Sequence, residues 1–425
     1  MLIRFEVSNF RSVLDPVELS MVAVDSGRET AREVPNLGES LLHVAAIFGP
    51  NAAGKSNIIA ALSWLRDAVR LSLQMWDETI PVEPFAFSSG SDRPTQFAVE
   101  CAIRGVRFEY LVELDRQAVA YEGLFHYPEK KRRRVFEREA RDLKLQRGLG
   151  SLSGTRELLT DRTLALSIAR RFDEPLVSDF AAELLRIQTL GLATPGRPGA
   201  IDWRPTTSLF EPDLESGQQS LFEISDPSAF DSTDRAQGLA LLRLADLGID
   251  DVVPAEAAEP TLRGAPLRGR AQRLRLTHRT GTGAVPLDFA AESSGTRTWF
   301  RMIGPVLMAL KQGSVLLFDE LDASLHPTLS QQVISLFQDP ATNPRDAQLI
   351  FTTHDTSLLN HLNRDEVWLT EKSDDGITRL GALAEFAGER VRTSVNLERA
   401  YLQGRFGALP DTDRTELLRA LGLIA

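Results

Sequence analysis

One cysteine, Cys101, is all the sequence holds. A single thiol excludes an internal disulfide framework and a zinc site built from several cysteines. Apolar runs near the roughly 20 residues that a membrane helix needs are also missing. The start, Met1-Leu2-Ile3-Arg4-Phe5-Glu6-Val7, lacks the basic and apolar regions of a secretory leader and alternates like a strand. A soluble, cytoplasmic protein is therefore expected. There is no basic excess: the net charge is −11, so any nucleic-acid contact would need a local patch. No internal repeat and no heptad run long enough for a coiled coil is found.

What is there suits a packed core. The 425 residues are 43% hydrophobic and 25% charged, enough for one large composite domain or two ordinary ones. A strand is expected from about Leu2 to Ser8, ending at Asn9-Phe10-Arg11-Ser12, and another over His43 to Phe48. From Ser56 to about Leu73, Ile58, Ile59, Leu62, Leu65, Ala68, Val69 and Leu73 repeat with helical period. β patterning follows from Pro81 to about Phe136, with Phe97–Cys101 and Phe108–Val112 as strands. Helices are expected at Thr163–Phe172, Leu176–Thr189 and Ala236–Leu247, with long loops across residues 191–235. Regular α/β order returns with helix Thr296–Lys311, strand Val315–Asp319, helix Pro327–Phe337 and strand Gln348–Thr352.

Between the second strand and the first long helix stands Gly49-Pro50-Asn51-Ala52-Ala53-Gly54-Lys55-Ser56, which fits G-x-x-x-x-G-K-[ST]. Gly49 and Gly54 let the backbone wrap phosphates closely, and the helix start offers unpaired N–H groups to an anion. Lys55 would reach the β- and γ-phosphates of ATP, and Ser56 would ligate Mg²⁺; Asn57 closes the cofactor-binding run. The second carrier of chemistry is Val315-Leu316-Leu317-Phe318-Asp319-Glu320, an apolar strand ending in two carboxylates. Asp319 would hold Mg²⁺ and Glu320 would deprotonate the attacking water.

Glu292-Ser293-Ser294-Gly295-Thr296 before that strand, and Thr352-Thr353-His354-Asp355 after the next one, give an order that resembles the ABC-type ATPases. The resemblance implies that Ser293, Ser294, Gly295 and Thr296 take the place of the signature loop. Glu292 stands where a leucine is usual. His354 would be the switch histidine at the γ-phosphate. Met1–Ala23 and Asp319–Pro327 are similar to the bacterial overcoming-lysogenisation-defect (OLD) and abortive-infection ATPases, related to the SMC and RecF heads. Tyr401–Pro410 resembles the C-terminal end of standalone abortive-infection members. By this likeness Arg11 lies near the nucleotide. His326 departs from the transporter-type pattern, which carries an aspartate there. Gln96 is a candidate for the Q-loop glutamine.

The implied fold is α/β: a P-loop NTPase of the ABC-ATPase head type, mixed-sheet, with an antiparallel β lobe and an inserted helical lobe. One head spans 1–425, with an N-terminal lobe at 1–147, an inserted lobe at 148–286 and a C-terminal lobe at 287–425. The resemblance also implies a homodimer with ATP at the interface, acting as sensor or regulator in anti-phage defence. The segment after His354 is too short for the nuclease domain of OLD proteins, so a separate effector protein is expected. The alternative is a RecF- or SMC-like repair ATPase that binds DNA directly. For that reading the sequence offers Lys130-Lys131-Arg132-Arg133-Arg134 and the arginines of 263–279, each readable also as a solvated turn or strand edge. A transporter subunit fits poorly, and Asp374-Asp375 reads as a polar turn.

Overall fold

A computed structural model describes residues 1–25, 27–28, 30–34, 36–87, 93–192, 204–210, 230, 232–245, 248–254, 274–281, 283–323, 325–386, 396–407 and 419. The chain divides into two compact units, Met1–Leu185 with Ile350–Ala425, and Arg186–Leu349.

The first unit contains a seven-stranded antiparallel sheet. Its order is Asp142–Leu145, Arg133–Glu139, Val119–Tyr127, Val106–Leu114, Thr95–Ile103, Leu2–Ser8, Val17–Ser20. Along Val106–Leu114 the residues Phe108, Tyr110, Val112 and Leu114 are buried in alternation, the two-residue period that sends one row inward. Phe108 and Tyr110 meet Phe180 of the helix Pro175–Leu185, with ring centroids 6.1 and 5.5 Å away.

Beneath this surface lies a buried charge network. The Glu122 carboxylate accepts from Tyr110 Oη and from the Ala165 and Leu166 amides at the start of the helix Ala165–Ala169. Arg138 stands 3.7 Å from Glu122 and donates to the carbonyls of Ala140, Thr160 and Thr163. Both side chains are fully buried. Burial raises the Glu122 carboxyl, while Arg138 and the three donors oppose the rise.

The same unit holds the strand Val44–Phe48, buried at every residue, parallel to Val367–Lys372. Thr378–Ala382 pairs antiparallel with the latter. Uninterrupted apolar strands of this kind are covered on both faces. The helix Lys55–Met75 follows the glycine loop and buries Ile58, Ile59, Leu62, Leu65, Ala68 and Val69, as its periodicity predicts.

In the second unit Gln188–Leu190 runs parallel to Val315–Phe318. The sequence predicts helix through Thr189, but the helix ends at Leu185. Pairing with a distant strand overrides local propensity there. A three-stranded antiparallel sheet is formed by Ile249–Pro254, Leu274–Thr280 and Gly283–Asp288. The helices Ser232–Ala245, Ser294–Gln312 and Pro327–Gln338 complete the unit's longer elements. Among the described residues no helix is long and apolar enough to cross a membrane.

Candidate functional site

The glycine loop is held by contacts that leave its glycines no room for a side chain. Gly49 has φ +152°, and a Cβ there would lie 2.3 Å from Thr370 Oγ1 and 2.5 Å from Thr370 O. Gly54 has φ +95°, and its Cβ would lie 2.0 Å from Thr378 Oγ1 and 2.8 Å from Ser12 Oγ. Ala52 also takes a left-handed backbone, φ 63°, at an exposed position of the loop with Asn51. The helix then begins at Lys55 with no side chain capping it.

Lys55 is buried, 6% exposed, and donates to Gly49 O at 2.9 Å and Pro50 O at 3.0 Å. Its Nζ also stands 3.4 Å from His354 Nδ1. An ammonium has hydrogens only to give, so Nδ1 faces it as the acceptor. His354 is exposed and sits between two anchored neighbours. Thr353 donates its amide to Ile47 O at 3.2 Å, and Asp355 Oδ1 accepts from Ser357 N at 2.9 Å. The lysine of the loop and the histidine, 299 residues apart, are thus brought together.

A second contact set was not legible in the motif. Asn57 Nδ2 donates to Ser12 Oγ at 2.7 Å, Ser12 Oγ lies 2.7 Å from Thr378 Oγ1, and Thr378 Oγ1 donates to Ala53 O at 2.9 Å. Each hydroxyl has one proton, so the donors run in one direction, from Asn57 through Ser12 and Thr378 to the loop carbonyl. Thr378 N closes the set on Ser12 O at 2.7 Å. Ser12 ends the Asn-Phe-Arg-Ser turn, whose Asn9 and Arg11 have φ 49° and 51°. Arg11 pairs with Glu83 at 3.0 Å. No local signal marks Thr378, because its partners are distant in sequence.

Gly54→Ala tests this packing. The φ strain and the clash with Thr378 predict a loss of about 1–3 kcal/mol. Thermal melting checks it, and a midpoint equal to the parent's would refute the contact.

In the second unit, Val315–Phe318 ends at Asp319, half-buried, and Glu320, exposed, with φ 56°. Asp319 N donates to Leu190 O at 2.9 Å. Gly191, φ +77°, lies so close that a Cβ would be 2.3 Å from Asp319 O, which explains a glycine inside a loop-rich stretch. Ser293 caps the helix Ser294–Gln312, accepting from Thr296 N at 3.0 Å, with Ser293 and Ser294 exposed and Gly295 and Thr296 partly so. His326 caps the helix Pro327–Gln338 through Nδ1, 3.2 Å from Thr328 N.

Residues 44–360 match the model of the family described as "AAA domain, putative AbiEii toxin, Type IV TA system", well over half of the chain. The chain belongs to this AAA domain family. No curated protein matches it. The SMC head domain from Thermotoga maritima is 12% identical, with 90% of this chain and 98% of that chain covered and a TM-score of 0.41. An SMC head bound to the C-winged helix domain of ScpA is 11% identical, with 90% and 97% covered and a TM-score of 0.42. For an SMC head with an extended coiled coil, bound to the C-terminal domain of ScpA derived from Pyrococcus furiosus, the values are 12%, 90%, 97% and 0.38. Scores this low carry no inference about this chain.

The AAA domain has the mixed α/β fold of a P-loop ATPase, with antiparallel and parallel strands. Its loop residues fit a polyphosphate: the helix start is uncapped, and a buried ammonium stands beside it. The Ser56 hydroxyl and Asp319 carboxylate are hard oxygen donors of the kind Mg²⁺ takes.

The described arginines of the two basic segments are paired with carboxylates. Arg132, Arg133 and Arg134 pair with Glu109, Glu129 and Glu137 at 2.8 to 3.0 Å. Lys130 and Lys131 are exposed at the turn. Arg275 pairs with Asp288 and Arg279 with Asp250, each at 2.6 Å. Arg263, Arg268, Arg270 and Arg273 lie outside the described residues, as do residues 408–410 of the C-terminal motif.

Gln96 lies in the strand Thr95–Ile103 with its amide on Glu113 at 3.0 Å. Asp374 and Asp375 sit in the turn closed by Gly376 N on Ser373 O at 2.9 Å. Among the described residues no group of three or more acidic, histidine or cysteine side chains could hold a metal ion. Cys101 is 4% exposed, and burial pushes its thiol up to about 12, so it stays protonated and inert.

Proposed function

We propose that this AAA domain binds ATP with Mg²⁺ and hydrolyses it to ADP and phosphate. Gly49–Asn57 enclose the phosphates, and Lys55 donates to their β- and γ-oxygens. Ser56 and Asp319 would hold Mg²⁺, which would neutralise charge on the transferred group. Glu320 takes the proton of the attacking water, and His354 orients that water at the γ-phosphate. The observation that carries this reading is the approach of Lys55 to His354 at 3.4 Å, beside a loop whose Gly49 and Gly54 leave no room for a side chain.

The exposed Ser293-Ser294-Gly295-Thr296 helix start has no role in a lone copy of this scheme. It suits a γ-phosphate bound by a second copy, making the active form a nucleotide-gated homodimer. Arg11, one residue from the Ser12 contact set, senses that closure. The biological role we propose is sensor or regulator in bacterial anti-phage defence of the abortive-infection, OLD-related kind, with a separate nuclease or toxin as effector. The family's description, which names a toxin of a toxin–antitoxin system, supports it. Direct DNA binding as in a repair ATPase has less support, because the described arginines of both basic segments are ion-paired to carboxylates.

The test is Glu320→Gln. It removes the base and keeps the shape, so ATP affinity stays while turnover falls ~10²- to 10⁴-fold. Phosphate release and nucleotide binding are measured side by side. Parental turnover in the variant would remove Glu320 from the chemistry.

A further inference from the structure

The residue before Ser293 is a glutamate, and it is buried. Glu292 is 8% exposed, on an element whose neighbours Ala291 and Ser293 are exposed. Burial of a carboxylate requires a partner, and its Oε1 lies 2.7 Å from His278 Nε2. An ionised carboxylate only accepts, so Nε2 carries the proton of this bond.

His278 lies on the middle strand of the three-stranded sheet, in the same alternating row as Leu274 and Leu276, which are 5% and 0% exposed. The opposite row is fixed by Arg275 on Asp288 and Arg279 on Asp250. The chain leaves the sheet at Asp288, makes the short turn Phe289–Ala291, and returns Glu292 to the strand it has just paired with. Directly after that bond Ser293 caps the 19-residue helix Ser294–Gln312.

We infer that His278 is a positioning residue for the signature turn, holding Glu292 so that the Ser293–Thr296 helix start keeps one orientation relative to the three-stranded sheet. This rests on the proposed ATPase reading for its catalytic consequence, but the bond and its effect on the turn stand without it. The pair also accounts for a glutamate where ABC-type signature loops carry leucine. Here a charge-assisted hydrogen bond anchors the turn.

The experiment uses the full chain with His278→Ala, His278→Gln, Glu292→Ala and the double alanine variant, all first checked by far-UV circular dichroism. Hydrogen exchange reads the Ser294–Arg297 amides without nucleotide, and steady-state kinetics reads ATP turnover. Expected are faster exchange at those amides and kcat about tenfold lower in His278→Ala with KM nearly unchanged. His278→Gln, which keeps an amide donor, restores both. The double variant falls no further than either single one, because the two residues act as a unit. Unchanged exchange in His278→Ala overturns the inference, as does faster exchange with parental kcat, which would leave a structural bond only. Should the parent chain hydrolyse no ATP, the ATPase reading fails by itself. The positioning of the turn is then decided by the exchange data and the glutamine rescue.

Discussion

Lys55→Ala is expected to weaken ATP binding by about two orders of magnitude, since hydrogen bonds from a charged group contribute about 1.5–3 kcal/mol each. The side chain is nearly buried, and its ammonium already sits among the loop carbonyls of Gly49 and Pro50. A phosphate arriving there exchanges neutral acceptors for anionic ones, a gain that alanine cannot reproduce. The substitution also takes a donor from both carbonyls. Lys55→Met, which keeps most of the aliphatic stem, separates packing from charge. Titration calorimetry with ATP and Mg²⁺ gives the affinities, and melting without nucleotide gives the stability. If both variants bind ATP as the parent does, the loop is not a phosphate cradle and the proposed function falls with it.

The other large effect is on stability. Arg138→Met is expected to cost about 3–5 kcal/mol, because it leaves the Glu122 carboxylate buried without its counter-charge. It also strips donors from the Ala140, Thr160 and Thr163 carbonyls. Glu122 in turn holds the start of Ala165–Ala169 through two backbone amides. The network therefore joins the antiparallel sheet to the helices behind it, and its loss should loosen both. Replacing both partners, as Glu122→Leu with Arg138→Met, should recover a large part of the loss, since no charge then remains buried. Urea denaturation followed by circular dichroism measures each variant. A single variant within about 1 kcal/mol of the parent would mean that solvent reaches Glu122 in the folded state.

Much of the candidate site's backbone was legible before any tertiary contact was known. The spacing Gly49–Ser56 between an apolar strand and a periodic helix has one economical reading, and the strand Val44–Phe48 and helix Lys55–Met75 lie where that reading requires. The apolar run ending in Asp319 and Glu320 is likewise a strand that stops at its carboxylates. Elements written by local periodicity survive because burial and backbone hydrogen bonding reward the same pattern. The end of the helix Pro175–Leu185 was not legible, since the strand after it depends on a partner in the distant Val315–Phe318.

Composition and motif spacing by themselves determined that this chain carries a glycine loop of the G-x-x-x-x-G-K-[ST] pattern, an acidic strand end and a histidine after the next strand. The side-chain contacts that hold these parts were decided only in three dimensions. Thr378 reaches Ser12 across 366 residues, His354 reaches Lys55 across 299, and Glu292 finds His278 only after the chain folds back. A glycine in a motif states that the backbone must pass closely by something. What it passes, Thr370 at Gly49 and Thr378 at Gly54, is set by sheet pairing, which no local pattern encodes.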